Sequence, residues 1–254
     1  MTFATYPSLA GRVVFVSGGA TGIGAEIVRA FARNDCRIAF IDIDEAAGER
    51  LARELSDGAP AVAFMRADVT DIAALRQSIA DTRARLGPVA VLVNNAANDE
   101  RHAVDAVDVA TWDHAQNVNL RHHFFAAQAV HPHMRELGHG SIINLASIAW
   151  RNGVPDLAAY ATAKAGIVGL TRALARAFGP DNIRVNAIEP GAVMTERQRR
   201  LWYKSQASVD AMVQRQSLKK TLLAEEIARA ALFLAADDSR MITKQSLVVD
   251  AGLR

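Results

Sequence analysis

The sequence predicts an α/β fold in which one parallel sheet is covered by helices on both faces. Short runs rich in Val, Ile and Ala alternate along the chain with longer stretches of helical period. The short runs are almost unbroken in apolar character, as strands buried on both faces require, whereas half-exposed antiparallel strands would alternate. Because strands and helices alternate from start to finish, we expect right-handed crossovers and a seven-stranded, doubly wound parallel sheet.

This alternation predicts where each strand and each helix lies. The strands are expected at Val13–Ser17, Arg37–Asp42, Ala61–Ala67, Val89–Asn94, Gly140–Ser147, Ile183–Glu189 and Ser246–Asp250. The helices are expected at Gly22–Arg33, Glu45–Leu55, Asp71–Leu86, Leu157–Phe178 and Ala224–Ala235, with a long helical segment over Val104–Leu137. The least regular stretch, 192–223, is rich in Arg, Gln, Lys and Ser, and we expect it to form a lid over a site at the strand ends.

The composition is that of an ordinary globular protein. Half of the 254 residues are apolar, 22% are charged and 6% are aromatic, which argues against disordered, collagenous and coiled-coil chains. We expect one domain over residues 1–254, because α/β folds of about 200 to 250 residues often form around one sheet. Apolar runs fall far short of the roughly 20 residues that cross a bilayer, and residues 1–12 lack the pattern of a signal peptide. The cytoplasm is therefore expected.

The charge balance and the single cysteine limit the kinds of partner and metal site that the sequence predicts. Lys and Arg number 29 against 27 Asp and Glu, and the two signs are interspersed. A nucleic-acid or anionic-membrane binder should carry a basic stripe, and Arg197, Arg199 and Arg200 make only a short one. We expect neither partner. The single cysteine, Cys36, excludes an intramolecular disulfide and any cysteine cluster for a metal, and no metal site is expected.

A glycine-rich stretch, residues 17–24, joins the first strand to the first helix. Gly18, Gly22 and Gly24 let the backbone turn tightly and approach a pyrophosphate without side-chain obstruction. The helix N-terminus offers free N–H groups to the anion. A glycine-rich turn of no special purpose is the alternative, which the strand–turn–helix context disfavours. The stretch therefore predicts a dinucleotide-binding, Rossmann-type domain.

Two carboxylates follow the next two strands. Asp42 lies about 20 residues after the glycines, where a carboxylate accepts hydrogen bonds from the ribose hydroxyls of adenosine. Because an anion there would repel the extra phosphate of NADP, Asp42 predicts NAD. Its alternative role is to cap the following helix, which Asp44 fills better. Asp68, followed by Val69, is placed either to meet the adenine edge or only to cap the helix that starts near Asp71.

A tyrosine and a lysine lie four residues apart in an Ala-rich segment. This spacing places Tyr160 and Lys164 on one helix face, where the ammonium favours the phenolate and lowers a phenol pKa that starts near 10. A tyrosine so tuned acts as acid or base near neutral pH. Ser147 lies at the end of the fifth strand, at the edge where open α/β sheets bind ligands. The alternative for such a pair alone is a plain helix-surface contact.

In order and spacing, these stretches resemble the classical short-chain dehydrogenase/reductase family over nearly the whole chain. The matching motifs are the glycines 18, 22 and 24, Asn94-Asn95-Ala96, Asn119, Ser147, Tyr160 with Lys164, and Pro190-Gly191 followed by Thr195. Each motif is modest alone, but a joint chance match is very improbable. The resemblance implies hydride transfer with a nicotinamide cofactor, and assembly as a homotetramer or homodimer, with the Leu157–Phe178 helix and the C-terminal strand at interfaces.

The resemblance also implies a role for each site residue. Tyr160 would be the catalytic acid/base, and Ser147 would orient and polarise the reacting oxygen. Lys164 would bind the nicotinamide ribose and lower the pKa of Tyr160, and Asn119 would hold a proton-relay water. The expected cofactor contacts are Gly18, Thr21, Gly22, Ile23, Gly24, Asp42, Asp68, Val69, Asn95, Tyr160, Lys164, Pro190, Gly191, Val193 and Thr195.

Two residues depart from the family pattern. Ala97 stands where the family usually has Gly, so the backbone loses some freedom and the following loop is free to sit differently. Glu189 stands at a position that is commonly apolar or small. Its carboxylate is expected either to meet a polar substrate or to pair with an arginine.

The loops around the site favour a sugar as substrate. The stretch Asn98-Asp99-Glu100-Arg101-His102 is dense in donors and acceptors where a steroid or acyl-chain enzyme would place apolar groups. Trp150 and the lid's Trp202-Tyr203 add aromatic faces, which suit the C–H faces of a pyranose. The expected substrate contacts are Asn98, Ser147, Tyr160 and Trp202.

Within the family, these stretches and residues 6–9 and 117–122 resemble the bacterial D-xylose 1-dehydrogenases. The implied reaction oxidises an aldose at its anomeric carbon to the aldonolactone, with NAD reduced to NADH. L-arabinose, L-fucose, D-galactose and polyols stay open as substrates. Two rival functions are an NADPH-dependent 3-oxoacyl carrier-protein reductase and a regulator that binds NAD without turnover. Asp42 and the polar loop count against the first, and the acid/base pair counts against the second.

Overall fold

The computed structural model describes residues 3–56 and 61–253, and within them the sheet has seven strands. The strands are β1 Val13–Ser17, β2 Arg37–Asp42, β3 Ala61–Arg66, β4 Val89–Asn94, β5 Gly140–Leu145, β6 Ile183–Pro190 and β7 Ser246–Val249. The helices are α1 Gly22–Ala32, α2 Glu45–Leu55, α3 Ile72–Leu86, α4 Val109–Gln116, α5 His122–Leu137, α6 Ala149–Asn152, α7 Ala158–Phe178, α8 Glu196–Leu201, α9 Gln206–Arg215 and α10 Ala224–Ala235.

The strands are all parallel, in the order β3-β2-β1-β4-β5-β6-β7. The predicted seven-stranded, doubly wound sheet is therefore confirmed. Ser17 lies in register with Ile41 and Asn94, and Asn94 with Asn144, so the carboxyl ends of four strands meet at one edge. The strand order reverses between β1 and β4, which is where open α/β sheets bind ligands.

Strand β1 shows why the apolar runs are unbroken. Val14 and Val16 pack against the side of the sheet covered by α1 and α10, whereas Val13 and Phe15 pack against the side covered by α3 and α5. Because both faces are covered, alternate residues are buried equally, and a fully buried Phe15 contributes about 1.5–3 kcal/mol over an exposed one. Cys36 is also buried, and burial raises the pKa of its thiol to about 12.

Element ends differ from the predicted ones by a few residues. β5 ends at Leu145, before Ser147, and β6 runs on to Pro190. The largest difference lies in the expected helical segment Val104–Leu137. There a 3₁₀ turn, α4, a π-helical turn Asn117–Arg121 and α5 follow one another, so the segment is not one regular helix. Among the described residues, no helix has the length and apolar character needed to span a membrane.

Two adjacent histidines are completely buried at the start of α5. The His122 ring contacts the carbonyl of Ala96 at 3.1 Å, and the His123 ring contacts Asn144 Oδ1 at 3.2 Å. Burial lowers the pKa of His122 to about 3, assisted by the charge of Lys164. Burial also lowers the pKa of His123 well below its usual value. Both rings are therefore neutral in the folded protein near neutral pH.

Acid is expected to destabilise the fold through these rings. Between about pH 6.5 and the depressed folded pKa, the unfolded chain binds protons that the folded chain does not, so stability falls as the pH falls. At pH 5 the loss from His122 alone is about 2 kcal/mol. Denaturant unfolding at pH 7 and pH 5 measures it. In His122→Asn the difference between the two pH values shrinks by that amount, and in the exposed control His114→Asn it does not. An unchanged difference in His122→Asn would contradict the assignment.

Candidate active site

The glycine-rich turn brings β1 very close to the start of α1. A Cβ at Gly24 would lie 1.9 Å from the carbonyl oxygen of Gly18, and Gly18 and Gly22 have φ of +65° and +55°. These three positions therefore require glycine. The side chain of Thr21, at the N-cap of α1, makes no capping hydrogen bond. The turn therefore forms a backbone cradle at a helix N-terminus, which is the arrangement that binds a phosphate.

Side chains from neighbouring strands hold this turn. Asn95, after β4, donates from Nδ2 to the carbonyl oxygens of Gly18 at 2.7 Å and Ser17 at 3.2 Å. Asp42, at the end of β2, accepts from the amide of Ala20 at 3.0 Å. Asn95 and Asp42 thus fix the shape of the turn, a task that the sequence did not predict for either residue.

The two alternatives about helix capping are also decided by the hydrogen bonds. Asp44 caps α2 by accepting from the amide of Ala47 at 3.0 Å, so Asp42 is not the cap. Asp71 caps α3 by accepting from the amides of Ala73 and Ala74. Asp68 is exposed beside the buried Val69 and is not needed for capping. Both carboxylates at the strand ends are therefore available for the adenosine half of a dinucleotide.

The segment after β6 meets the glycine turn. The methyl carbon of Thr195 is 3.4 Å from where a Cβ on Gly22 would lie. Thr195 also begins α8 by accepting from the amide of Gln198 at 3.2 Å. A Cβ on Gly191 would lie 2.7 Å from the Cα of Asp250. The structure thus brings the two predicted cofactor-binding stretches, 17–24 and 190–195, together at one edge.

The predicted catalytic side chains lie close together below this edge. They belong to Tyr160, Lys164 and Ser147. Lys164 is buried, donates from Nζ to the carbonyl of Leu145 at 2.8 Å, and has its Nζ 5.4 Å from the centre of the Tyr160 ring. The Ser147 hydroxyl lies near enough to Tyr160 to lower the pKa of the phenol. The structure therefore brings the predicted phenol, amine and hydroxyl together.

The predicted direction of the tyrosine pKa shift is wrong for this structure. Desolvation raises the pKa of Tyr160, the charge of Asp99 raises it further, and the hydrogen bond with Ser147 lowers it. Lys164 does not reverse this, because burial lowers the pKa of Lys164 itself to about 7. Its Nζ also faces Leu145 rather than the phenol. Tyr160 is thus a protonated phenol at neutral pH.

The amide of Asn119 holds the loop after β4. Its Oδ1 accepts from the backbone amide of Asn98 at 2.9 Å, and its Nδ2 donates to the carbonyl oxygens of Asn98 and Ala115, both at 3.0 Å. The π-helical turn directs this side chain toward the loop. Ala97, next to it, does not have a positive φ, so alanine in place of the usual glycine causes no backbone strain there.

The loop after β4 also joins α8 of the expected lid. Arg197 donates to Asn98 at 2.9 Å and to Asp99 at 3.2 Å, and Gln198 donates to Asp99 at 2.6 Å. The guanidinium of Arg101 lies over the Trp202 ring at 4.1 Å. Asp99 therefore binds the lid, and its charge also raises the pKa of both Tyr160 and Lys164. The polar loop pointed to this residue, but we did not single it out from the sequence.

A family model described as enoyl-(acyl carrier protein) reductase matches residues 18–254. The chain belongs to the short-chain dehydrogenase/reductase family. Its relatives include a probable galactose dehydrogenase of Rhizobium meliloti, 48% identical over 98% of this chain and 97% of the relative. A D-xylose 1-dehydrogenase of Caulobacter vibrioides is 43% identical over the full length of both. A 3-oxoacyl-[acyl-carrier protein] reductase from Brucella melitensis superposes with a TM-score of 0.91 at 30% identity, covering 100% of this chain and 97% of that one.

As a member of this family, the protein is an oxidoreductase that acts on CH–OH groups with a nicotinamide cofactor. The residues present fit such a cofactor. The glycine turn leads into the N-terminus of α1, and Thr195 of the segment 190–195 lies beside the turn at Gly22. Asp42 ends β2 and Asp68 follows β3, on the side where the adenosine would lie.

A cavity of about 300 Å³ opens beside Tyr160 in this short-chain dehydrogenase. Its lining includes Asn98 and Asn119, two of the predicted site residues, but neither Ser147 nor Trp202. Among the described residues, its charged or titratable neighbours are carboxylates and imidazoles, without Lys or Arg. These neighbours are Glu100 and His102 of the polar loop that the sequence indicated, together with His114 and Asp156, which the sequence did not single out.

Proposed function

We propose that the protein is an NAD-dependent dehydrogenase that oxidises an aldose, D-xylose or a related sugar, at its anomeric carbon to the aldonolactone. The observation that carries this proposal is the cavity beside Tyr160, in which amide, imidazole and carboxylate side chains interrupt an apolar wall. It has room for a monosaccharide, whose hydroxyl groups suit the donors and acceptors and whose C–H faces suit the apolar wall. Because the described residues that line it include two carboxylates and neither Lys nor Arg, it disfavours phosphorylated and carboxylated substrates. Relatives at 43–48% identity that are named as xylose and galactose dehydrogenases support the same class.

The proposed reaction divides the work among three side chains. Tyr160 first loses its own proton to solvent and then, as phenolate, takes the proton of the anomeric hydroxyl, while Ser147, which lies near Tyr160, holds the same oxygen. Lys164 lies beneath them and would bind the nicotinamide ribose. When bound, NAD supplies the acceptor for the hydride that leaves the anomeric carbon. Aldose and NAD⁺ thus give lactone, NADH and one proton.

Two further contacts are part of the proposal. Trp202 has a buried indole Nε1 without a hydrogen-bond partner in the described structure, and an unpaired buried donor costs about 1–3 kcal/mol. Because Trp202 does not line the cavity in this structure, a sugar hydroxyl would satisfy it only after the lid has moved. Asn98 would offer the same substrate its side chain from the opposite loop. A water held near Asn119 would return the proton to solvent, and residues 192–223 would act as the lid.

NAD is proposed over NADP because Asp42 places a carboxylate at the end of β2. The structure uses this carboxylate on Ala20 and Asp44, which keeps it at the edge where the adenosine ribose would bind. The 3-oxoacyl carrier-protein reductase is the weaker alternative, because its substrate is anionic and the described lining of the cavity includes no Lys or Arg. A regulator without turnover would not need the Ser147 hydroxyl beside Tyr160.

The test is a panel of substrates scored by NADH formation at 340 nm. The panel contains D-xylose, D-galactose, L-arabinose, L-fucose, galactitol and a 3-hydroxyacyl thioester, each with NAD and with NADP. We expect the largest kcat/KM with an aldose and NAD. Activity confined to the thioester with NADP would favour the reductase. Binding of NADH without turnover of any compound would favour the regulator.

We also propose a homotetramer, or a homodimer, acting in the cytoplasm. The edge strand β7 leaves Leu247 38% exposed, and α4 and α5 leave Trp112 and Phe124 about as exposed. Exposed apolar side chains on regular elements are typical of subunit interfaces. Sedimentation velocity of the purified protein distinguishes a tetramer from a dimer, and a monomer at micromolar concentration would refute both.

A further inference from the structure

The carboxylate of Glu189 is completely buried at the end of β6. It accepts three hydrogen bonds from two consecutive residues. Trp150 donates from Nε1 at 3.0 Å, and Arg151 donates from Nε at 2.6 Å and from Nη2 at 2.9 Å. Of the two roles open from the sequence, Glu189 therefore has the pairing with an arginine. The hydrogen bonds that Glu189 accepts in turn raise the pKa of Arg151.

The two donors belong to α6, which begins two residues after Ser147. A helix of four residues does not stabilise itself, because one turn forms too few hydrogen bonds for the dihedrals it fixes. Besides packing against α7, this segment is held by contacts with the end of β6. Ile148 donates to the carbonyl of Pro190 at 3.2 Å, and the Arg151 guanidinium lies 4.3 Å over the Trp150 ring. The Glu189 carboxylate accepts hydrogen bonds from both side chains of this stacked pair.

The backbone of α6 also contacts Ser147 directly. The Ser147 hydroxyl oxygen accepts from the amide of Ala149 at 3.1 Å, and the same hydroxyl lies near Tyr160, whose pKa it lowers. A shift of α6 therefore moves an amide that orients the serine. Reacting groups are sensitive to such shifts, since about 1 Å of displacement lowers a rate by as much as 100-fold.

We propose that Glu189 is a positioning residue, which holds α6 through Trp150 and Arg151 and thereby sets the Ser147 hydroxyl against Tyr160. The sugar named as substrate rests on the proposed function, but the positioning of Ser147 applies to any alcohol that the enzyme oxidises. Glu189 touches neither the substrate nor the cofactor in this role. Its effect reaches the reaction only through Ser147.

The test uses Glu189→Gln, which keeps the side-chain shape and removes the charge. We expect kcat to fall at least tenfold, while the KM for NAD changes by less than twofold. The matched control is Glu54→Gln. Glu54 accepts a comparable two-point contact from Arg29, at 2.7 and 2.8 Å, but on the surface between α1 and α2. Glu54→Gln is expected to retain the full kcat. A loss of activity in this control would show that breaking any such Arg–Glu ion pair harms the enzyme.

A double mutant separates positioning from general damage. If Glu189 acts through Ser147, adding Glu189→Gln to Ser147→Ala lowers kcat by less than twofold further, because the group it positions is already gone. The same tenfold loss in both backgrounds would overturn the proposal. So would a kcat within twofold of wild type in Glu189→Gln alone.

A second variant covers the case in which Glu189→Gln does not fold. Trp150→Phe removes one donor and leaves the Arg151–Glu189 pair intact. It is expected to lower kcat severalfold with Ser147 present and not in the Ser147→Ala background. Each variant is assayed with whichever alcohol of the panel wild-type enzyme oxidises best. If no aldose is oxidised, the proposed function fails, while the positioning is still measured with the alcohol that is.

Discussion

Replacement of Tyr160 by phenylalanine is expected to lower turnover about 10²- to 10⁴-fold, the loss typical of a missing general acid/base. NAD affinity should stay nearly intact, because the glycine cradle and Asp42 lie on other elements. The measurement is steady-state kcat with the best sugar, together with an NADH binding titration. An unchanged rate would remove Tyr160 from the mechanism.

The pH dependence of the wild-type enzyme provides a second measure of the same residue. Because desolvation raises the pKa of Tyr160, the base needed for oxidation forms only as the pH rises. We expect the wild-type oxidation rate to increase into the alkaline range, and the residual rate of Tyr160→Phe not to follow it. Tyr6→Phe serves as the control, since Tyr6 packs with the core cluster on the α1 and α10 side of the sheet. Its profile should match the wild type.

The second large effect is expected from Asp42, in the choice between NAD and NADP. Asp42→Asn removes the charge but keeps an oxygen that can accept from the amide of Ala20. We expect the ratio of kcat/KM for NAD over NADP to fall at least tenfold, about 1.4 kcal/mol, mainly because NADP improves. Asp42→Ala loses the acceptor as well, so NAD binding should also weaken.

Comparison of the two variants separates charge from turn geometry. If the asparagine variant keeps the full preference and only the alanine variant loses affinity, the carboxylate shapes the glycine turn and does not select the cofactor. If the preference stays as wide in both variants, Asp42 is not the selector.

The fold could be predicted from the sequence because its main signal is local. In β1, alternate residues enter two covered faces, so an unbroken apolar run identifies a central strand. The glycines were equally informative, since Gly24 lies against the Gly18 carbonyl and no other residue fits there. Element ends were less predictable. Asn117–Arg121 continues the helical pattern in sequence, yet one extra residue per turn changes its hydrogen bonds.

The electrostatics of the site could not be predicted in the same way. The spacing of Tyr160 and Lys164 describes one pair, whereas the pKa of each depends on burial and on Asp99, which other elements supply. The partner of Glu189 was likewise undecided, because only the fold brings α6 against the end of β6. Sequence patterns thus predicted candidate reacting groups, whereas the packing of distant segments determines their protonation.

The π-helical turn at Asn117–Arg121 makes the length of this segment as important as its composition. Deleting one residue there would restore the ordinary α-helical repeat, and α4 would rotate by about 100° relative to α5. Asn119 could then no longer reach Asn98 while His122 and His123 kept their places in the interior. Substitutions on the outer side of the turn leave this geometry alone. We therefore expect homologous chains to vary in sequence here far more readily than in residue count.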